Sequence, residues 1–253
     1  MTSTDAPAPA PAPVDNTKPN SFQRIVGVFA SPAKTFDEIA RRPDWVVPLL
    51  ILVVISFATA WAIGSRLDYQ GLAQQAMESN PRVADMPADQ QARMVRFTAT
   101  TMKVTTVIAP LLSIIGLLII AGVCLLGVRA MGGGGNFAQA WSVAIYGWYP
   151  RLIKGILATI VLLNRKSLTI IDLQNPLRSN LGFLFDPKLH PVAFAFTSSF
   201  DIFAIWSLIL YIIGFSAISR LSRGKTAAVI LVLWVVVVML TLIGPAFQAA
   251  KMK

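Results

Sequence analysis

Hydrophobic and polar positions divide this chain into five long apolar runs with polar segments between them. The runs cover residues 46–64, 104–128, 137–163, 198–218 and 226–247. Each approaches the ~20 residues that a hydrocarbon layer of ~30 Å demands of a helix. An open strand would leave its backbone unsatisfied in lipid, so the runs predict helices. The pattern therefore predicts an all-α integral membrane protein. Its expected form is a five-transmembrane-helix bundle over residues 46–250, with N-terminal amphipathic interfacial helices over 21–45.

The polar segments add detail. Residues 1–20 alternate Ala and Pro and read as a disordered or polyproline-like tail, more a spacer than a ligand for a partner. In the next stretch Phe22, Ile25, Val26 and Phe29 fall on one face of a helix. Ser31 and Pro32 read as the N-cap and first residue of a second short helix, with Phe36, Ile39 and Ala40 on one side. Arg24, Lys34, Arg41 and Arg42 suit a membrane surface, with Phe22, Ile25, Val26 and Phe29 as the anchor. The alternative is that both helices pack on the protein's own bundle. Beyond the first run, Pro87 opens one long helix that starts in water and enters the second run, where Pro110 is a kink site. The glycines of MGGGGNF permit a tight reversal between antiparallel helices. Pro150 removes a hydrogen bond inside the third run. Residues 164–197 carry several Pro and Asn breakers and predict one short helix or a re-entrant turn.

Composition fits this picture. The chain is 55% hydrophobic and 13% charged, against ~25% charged in a soluble domain. Its net charge of +10 suits basic residues that flank the spans and meet lipid headgroups. No nucleic-acid motif accompanies the charge, so the expected partner is the lipid bilayer, with other membrane proteins or a second copy of the chain as further partners. The lone cysteine, Cys124, has no second cysteine for a disulfide within the chain and reads as a small buried apolar residue. The first apolar run begins at Val46 behind a polar, proline-rich stretch, so the first span is expected to act as the insertion signal.

Four stretches carry a resemblance: VFASPAKTFDEIARRPDW, GGGGNFAQAWSVAIYGWYP, SNLGFLFDP, and SFDIFAIWSLILYIIGF with the residues after it. In this order, with the D-x-F-x-x-W lead-in to the fourth run, the chain resembles the Yip domain family, the Ypt/Rab-interacting membrane proteins, in its bacterial branch. The resemblance covers roughly residues 22–240. It implies a five-span bundle with a cytosolic N-terminus in the bacterial inner membrane, and no established activity. The Rab and vesicle-traffic roles of eukaryotic relatives do not carry over.

Charge bias sets the orientation. Three basic residues, Lys34, Arg41 and Arg42, precede the first run and one, Arg66, follows it. Over all run ends the balance is reversed, with Lys188, Lys251 and Lys253 among the basic residues of the far side. The first span usually dominates, so the N-terminus is expected in the cytoplasm and the C-terminus outside.

Candidate chemistry is sparse. The single histidine, His190, lies in a loop, and HExxH, GxSxG and paired-aspartate signatures are missing. No catalytic residue, metal ligand or cofactor is expected. The charges within the runs are Arg151, Lys154 and Asp201. Arg151 and Lys154 are three apart on one face. Intramembrane charges mark functional sites or structural pairs. The expectation is that Asp201 pairs with Lys154 or Arg151, Lys154 having the better depth match. The charges and the Pro150 break also allow a small transporter or channel subunit. Trp45, Trp61, Tyr146, Trp148 and Tyr149 read as interfacial anchors, and Trp206 and Trp234 as deeper packing residues.

Overall fold

The computed structural model describes residues 20–78, 83, 86–187 and 189–250. The Ala/Pro tail before Asn20, and Lys188, Lys251 and Lys253 of the charge balance, lie outside the described residues. Among the described residues the α-helices are, in order, α1 (Ser21–Ala30), α2 (Pro32–Arg41), α3 (Val46–Gly64), α4 (Tyr69–Glu78), α5 (Ala88–Ala130), α6 (Phe137–Leu163), α7 (Ile170–Gln174), α8 (Pro191–Ser198), α9 (Ile202–Ser219) and α10 (Arg223–Ala250). A 3-10 turn covers Leu181–Leu184. Among the described residues four helices, α3, α5, α9 and α10, are long and apolar enough to cross a membrane. The third apolar run, α6, is a single helix of 27 residues, but Arg151 and Lys154 interrupt its apolarity.

Helix α6 forms the centre of the bundle. It packs against α3, α5 and α9, and also against α1 and α2. Ala140 through Gly147 are all buried, which leaves this stretch no outward face. Small residues let its neighbours approach. A Cβ at Gly147 would collide with the Tyr211 ring of α9. One at Gly214 would sit 2.5 Å from Val143 and 2.9 Å from Phe36, so α2, α6 and α9 meet there with no space for a side chain. Helix α10 packs against α5, α8 and α9 and sends Ile230 into the core.

Hydrogen bonds tie the helices at both ends. At one end the Gly134 amide donates to the Ser219 carbonyl at 2.9 Å, and the Gln139 side chain donates to the Ala40 carbonyl at 2.6 Å. Gly132 and Gly135 take positive φ there, and Gly133 lies where a Cβ would be 2.8 Å from the Val128 carbonyl. The reversal between α5 and α6 thus needs glycine for both conformation and space. At the other end Arg66 donates to the Leu163 carbonyl at 3.0 Å, joining the exits of α3 and α6. The long helix expected after Pro87 is present as α5, with 43 residues and a length of about 65 Å, twice the hydrocarbon thickness. Pro110 and Pro150 each lack the amide that would bond the carbonyl four residues back, yet α5 and α6 continue on both sides of them.

The N-terminal stripe divides. Ile25 and Phe29 pack toward the core, and Phe29 meets the Trp206 ring edge-on at 5.2 Å. Phe22 and Val26 stay exposed, at 67% and 52%. Val28 and Arg24 take the innermost positions of α1. The cause is the turn into α2: Gly27 abuts the Thr35 hydroxyl, and Phe36 and Ile39 of α2 are fully buried. Arg24 is therefore not on a lipid-facing surface. It donates to the Arg42 carbonyl at 3.0 Å and lies 4.0 Å from Asp44. Ser31 precedes α2 as expected but makes no side-chain cap, its carbonyl accepting from the Thr35 hydroxyl instead. Tyr146 and Tyr149 are buried rather than interfacial: Tyr149 donates to the Pro48 carbonyl at 2.9 Å, and Tyr146 reaches Asp44 at 3.4 Å.

Residues 164–197 hold α7, the 3-10 turn and α8, more than the single short helix expected. Two of these starts have local signals: a Thr169–Asp172 capping box opens α7, and Pro191 is the first residue of α8. Helix α4 is likewise additional to the expected pattern.

The close approach at Gly214 makes a test. Gly214→Val overfills a site without space, a change that costs ~1–3 kcal/mol. Gly122 on α5 has no atom within 4 Å of its would-be Cβ. In detergent, Gly214→Val should lower the melting temperature while Gly122→Val leaves it unchanged. Equal effects would show that the α2–α6–α9 contact is not tight.

Candidate functional site

The fourth apolar run, residues 198–218, starts at the last residue of α8 and otherwise forms α9. Ser199–Asp201 separate α8 from α9, and Asp201 is the N-cap of α9 rather than a residue one turn inside it. The chain turns there because the carboxylate competes for the first amides of the next helix. One oxygen, Oδ1, accepts from the amides of Phe203 at 3.0 Å and Ala204 at 3.2 Å. A negative charge at a helix N-terminus is also favoured by the helix dipole.

The second oxygen serves two other elements. Oδ2 accepts from Lys154 Nζ of α6 at 2.8 Å and from the Ser179 hydroxyl at 2.5 Å. The Ser179 carbonyl in turn accepts from the Ile202 amide at 3.0 Å, and Asn180 faces Asp201 across a single antiparallel bridge. The loop before the 3-10 turn is thereby fastened to the start of α9. Asn180 closes that loop, accepting from the Gly182 amide at 2.8 Å and donating to Asn175 at 3.1 Å. Four donors thus converge on one carboxylate whose side chain is 4% exposed, while that of Lys154 is 31% exposed. Such a pair has more value than a surface ion pair and less desolvation cost than a fully buried one.

Arg151 takes a different course. Its guanidinium lies over the Trp148 ring, 4.9 Å from the centroid, a cation–π contact. Its Nε is buried without a hydrogen-bond partner. Of the three charges, the structure brings Lys154 and Asp201 together and turns Arg151 onto an aromatic face.

A second polar cluster joins the N-terminal helices to α6. Asp44 accepts from the Ser21 hydroxyl at 2.6 Å and meets Tyr146 and Arg24 at the distances given above. Ser179, Asn180 and Asp44 sit in polar connectors, and nothing in their spacing marks them as partners of Asp201 or Tyr146. The cap was readable: an aspartate directly ahead of an apolar run is an N-cap signature. His190 is an exposed residue ahead of α8, with its ring 6.4 Å from Phe185. Among the described residues no group of three or more His, Cys, Asp or Glu side chains is placed to hold a metal ion.

The two functions of Asp201 separate by substitution. Asparagine keeps a capping oxygen and loses the charge, whereas alanine loses both, and losing a cap costs ~0.5–2 kcal/mol. Asp201→Ala should therefore lower the detergent melting temperature more than Asp201→Asn. Equal losses would mean that the cap bonds contribute nothing.

The Yip1 domain model matches residues 26–244. No curated protein and no solved structure matches the chain. The matched stretch runs from the middle of α1 to near the end of α10 and includes Lys154, Ser179 and Asp201, so the chain belongs to the Yip1 domain family.

Proposed function

We propose that this Yip1 family membrane protein is non-enzymatic and serves membrane organisation or partner binding. One observation carries the reading. The Asp201 carboxylate is occupied by internal bonds to α6, α9 and the loop between them. A carboxylate with its oxygens taken by four fixed donors is poorly placed to load and release a substrate, and is well suited to holding helices in register. The chain's outward surface is apolar instead: Leu111, Leu118 and Val123 of α5 and Val232, Val236 and Leu240 of α10 are exposed. Such faces suit lipid, other membrane helices or a second copy of the chain.

In this proposal α6 is a fifth crossing. Its 27 residues reach about 40 Å. The bonds at the two ends of the bundle support alternation, since Ala40, Gly134 and Ser219 gather at one end and Leu163 and Asp201 at the other. Lys154 lies past the midpoint of α6, toward the end that the charge bias of the first span assigns to the outer face, and Asp201 caps the start of α9. The pair would then sit in the outer half of the layer, where a charge costs less than at the bilayer centre.

Two measurements test this reading. A reporter fused after Lys253 should be active only on the periplasmic side of a Gram-negative host's inner membrane. A cytoplasmic reporter contradicts either the orientation or the odd number of crossings. Purified protein in liposomes should show no flux of ions or small solutes above empty vesicles. Substrate-dependent flux would favour a transporter or channel subunit instead.

A further inference from the structure

Among the described residues Arg220 alone, glycines apart, takes a positive φ, at 60°. It follows Ser219, the last residue of α9, and its amide donates to the Ser216 carbonyl at 3.0 Å. Glycine is the usual residue here, because a Cβ in the left-handed region crowds the backbone. The turn between α5 and α6, at the same end of the bundle, follows that rule with Gly132 and Gly135 at its positive-φ positions. An arginine in such a place gives up stability that glycine would keep. Strain of this kind points to a function for the side chain.

The turn that carries Arg220 is fixed on both sides. The Ser219 carbonyl is held by the Gly134 amide. Leu221 turns inward, its Cδ1 3.0 Å from where a Cβ on Gly133 would lie, and its carbonyl accepts from the Ser216 hydroxyl at 2.8 Å. The Ser222 carbonyl accepts from the Thr226 amide at 3.1 Å and so starts α10. Arg220, Arg223 and Lys225 are exposed on this frame. The acids of this end are Asp37, Glu38 and Asp44, and Asp44 faces Arg24. Among the described residues no carboxylate lies within 4.0 Å of Arg220, Arg223 or Lys225. Arg129, also at this end, is bonded to the Gly135 carbonyl at 2.7 Å instead.

The level of the three cations follows from the helices that they join. Both α9 and α10 are long and apolar enough to cross a membrane, and only Arg220, Leu221 and Ser222 lie between them. Cations within one turn of two crossing ends lie at the headgroups of one leaflet. The negative group at that level is lipid phosphate.

We propose that the α9–α10 turn binds the phosphate of an anionic phospholipid through Arg220, Arg223 and Lys225. The site deepens the membrane role proposed above and rests on α9 and α10 as crossings, whichever leaflet the turn faces. Each cation close to the headgroups favours an anionic lipid by about fivefold.

The test uses the full chain in phosphatidylcholine nanodiscs that contain a minor share of photoactivatable phosphatidylglycerol or phosphatidylcholine. The diazirine lies on one acyl chain just below the headgroup, and labelled peptides are mapped in the unmodified protein. The phosphatidylglycerol probe should label residues 216–229 at least about fivefold more than the phosphatidylcholine probe. Both probes should label α10 around Phe247, at its other end. Arg220→Gly should lower the ratio at the turn about fivefold, while Arg220→Lys keeps it. In detergent without added lipid, Arg220→Gly should raise the melting temperature, since glycine takes the positive φ freely. Inorganic phosphate, added at constant ionic strength, should leave the ratio unchanged. Equal labelling of the turn by the two probes, with Phe247 labelled, overturns the site and leaves the crossing of α10 standing. No labelling around Phe247 contradicts that crossing and the site with it. An unchanged ratio or a lower melting temperature in Arg220→Gly overturns the role of Arg220. A ratio abolished by inorganic phosphate assigns the turn to a free anion and overturns the lipid. The mapping in the unmodified chain decides even where a variant fails to fold.

Discussion

One carboxylate, Asp201, joins three parts of this protein. It starts α9, receives the ammonium of Lys154 from α6, and holds the Ser179 loop. An aspartate ahead of an apolar run is costly unless its charge is met, and here the compensation comes from another helix and another loop. The same bonds that satisfy the charge therefore set where α9 begins, how α6 is rotated against it, and where the connecting loop lies. In an environment that supplies little hydrophobic drive between helices, packing and such polar bonds must define the arrangement.

Helix α6 shows what that requirement does to a sequence. Its central position buries a continuous stretch from Ala140 to Gly147, and the hydroxyls of Tyr146 and of Tyr149 just beyond it reach bonding partners. Glycines at 147 and 214 allow Tyr211 and Phe36 to come close. The two cations then need local answers. Lys154 finds a carboxylate, and Arg151 finds the face of Trp148. These two answers differ in kind, since a cation–π contact leaves the guanidinium nitrogens without an acceptor, as the buried Nε of Arg151 shows. The N-terminal helices close the other end of the bundle through Arg24, Asp44 and Tyr146.

Much of the architecture is legible in the sequence, for a physical reason. Lipid demands long apolar helices, so α3, α5 and α10 appear as runs in the pattern, and the family is readable from the stretches around GGGGNF and SFDIFAIW. Less legible is whatever depends on local bonds. The exact start of α9 is less plain, because Thr197, Ser198, Ser199 and Asp201 are polar in a stretch that Phe194, Phe196 and Phe200 keep partly apolar, and only the cap rule places it at Asp201. The inward rotation of α1 depends on Gly27 meeting Thr35, a contact between two helices that the periodicity of one helix does not carry. The apolar stripe of Phe22, Ile25, Val26 and Phe29 is a correct helical face, yet only half of it turns to the core. For the candidate site, the charges themselves are visible as exceptions in oily sequence. Ser179 as a partner follows from three-dimensional placement alone, whereas depth matching already favours Lys154 over Arg151 as the contacting cation.

The central claim is that α6 and α9 are coupled through Lys154 and Asp201, with Arg151 outside that pair. A double-mutant cycle measures it directly. Asp201→Asn retains the cap and removes the charge, Lys154→Met removes the ammonium, and each is combined and followed by thermal unfolding in detergent. The account predicts that the double variant loses less than the sum of the single losses, by a coupling of at least ~0.5 kcal/mol. The parallel cycle with Arg151→Met should be additive. Additivity at Lys154, or a larger coupling at Arg151, would contradict the account.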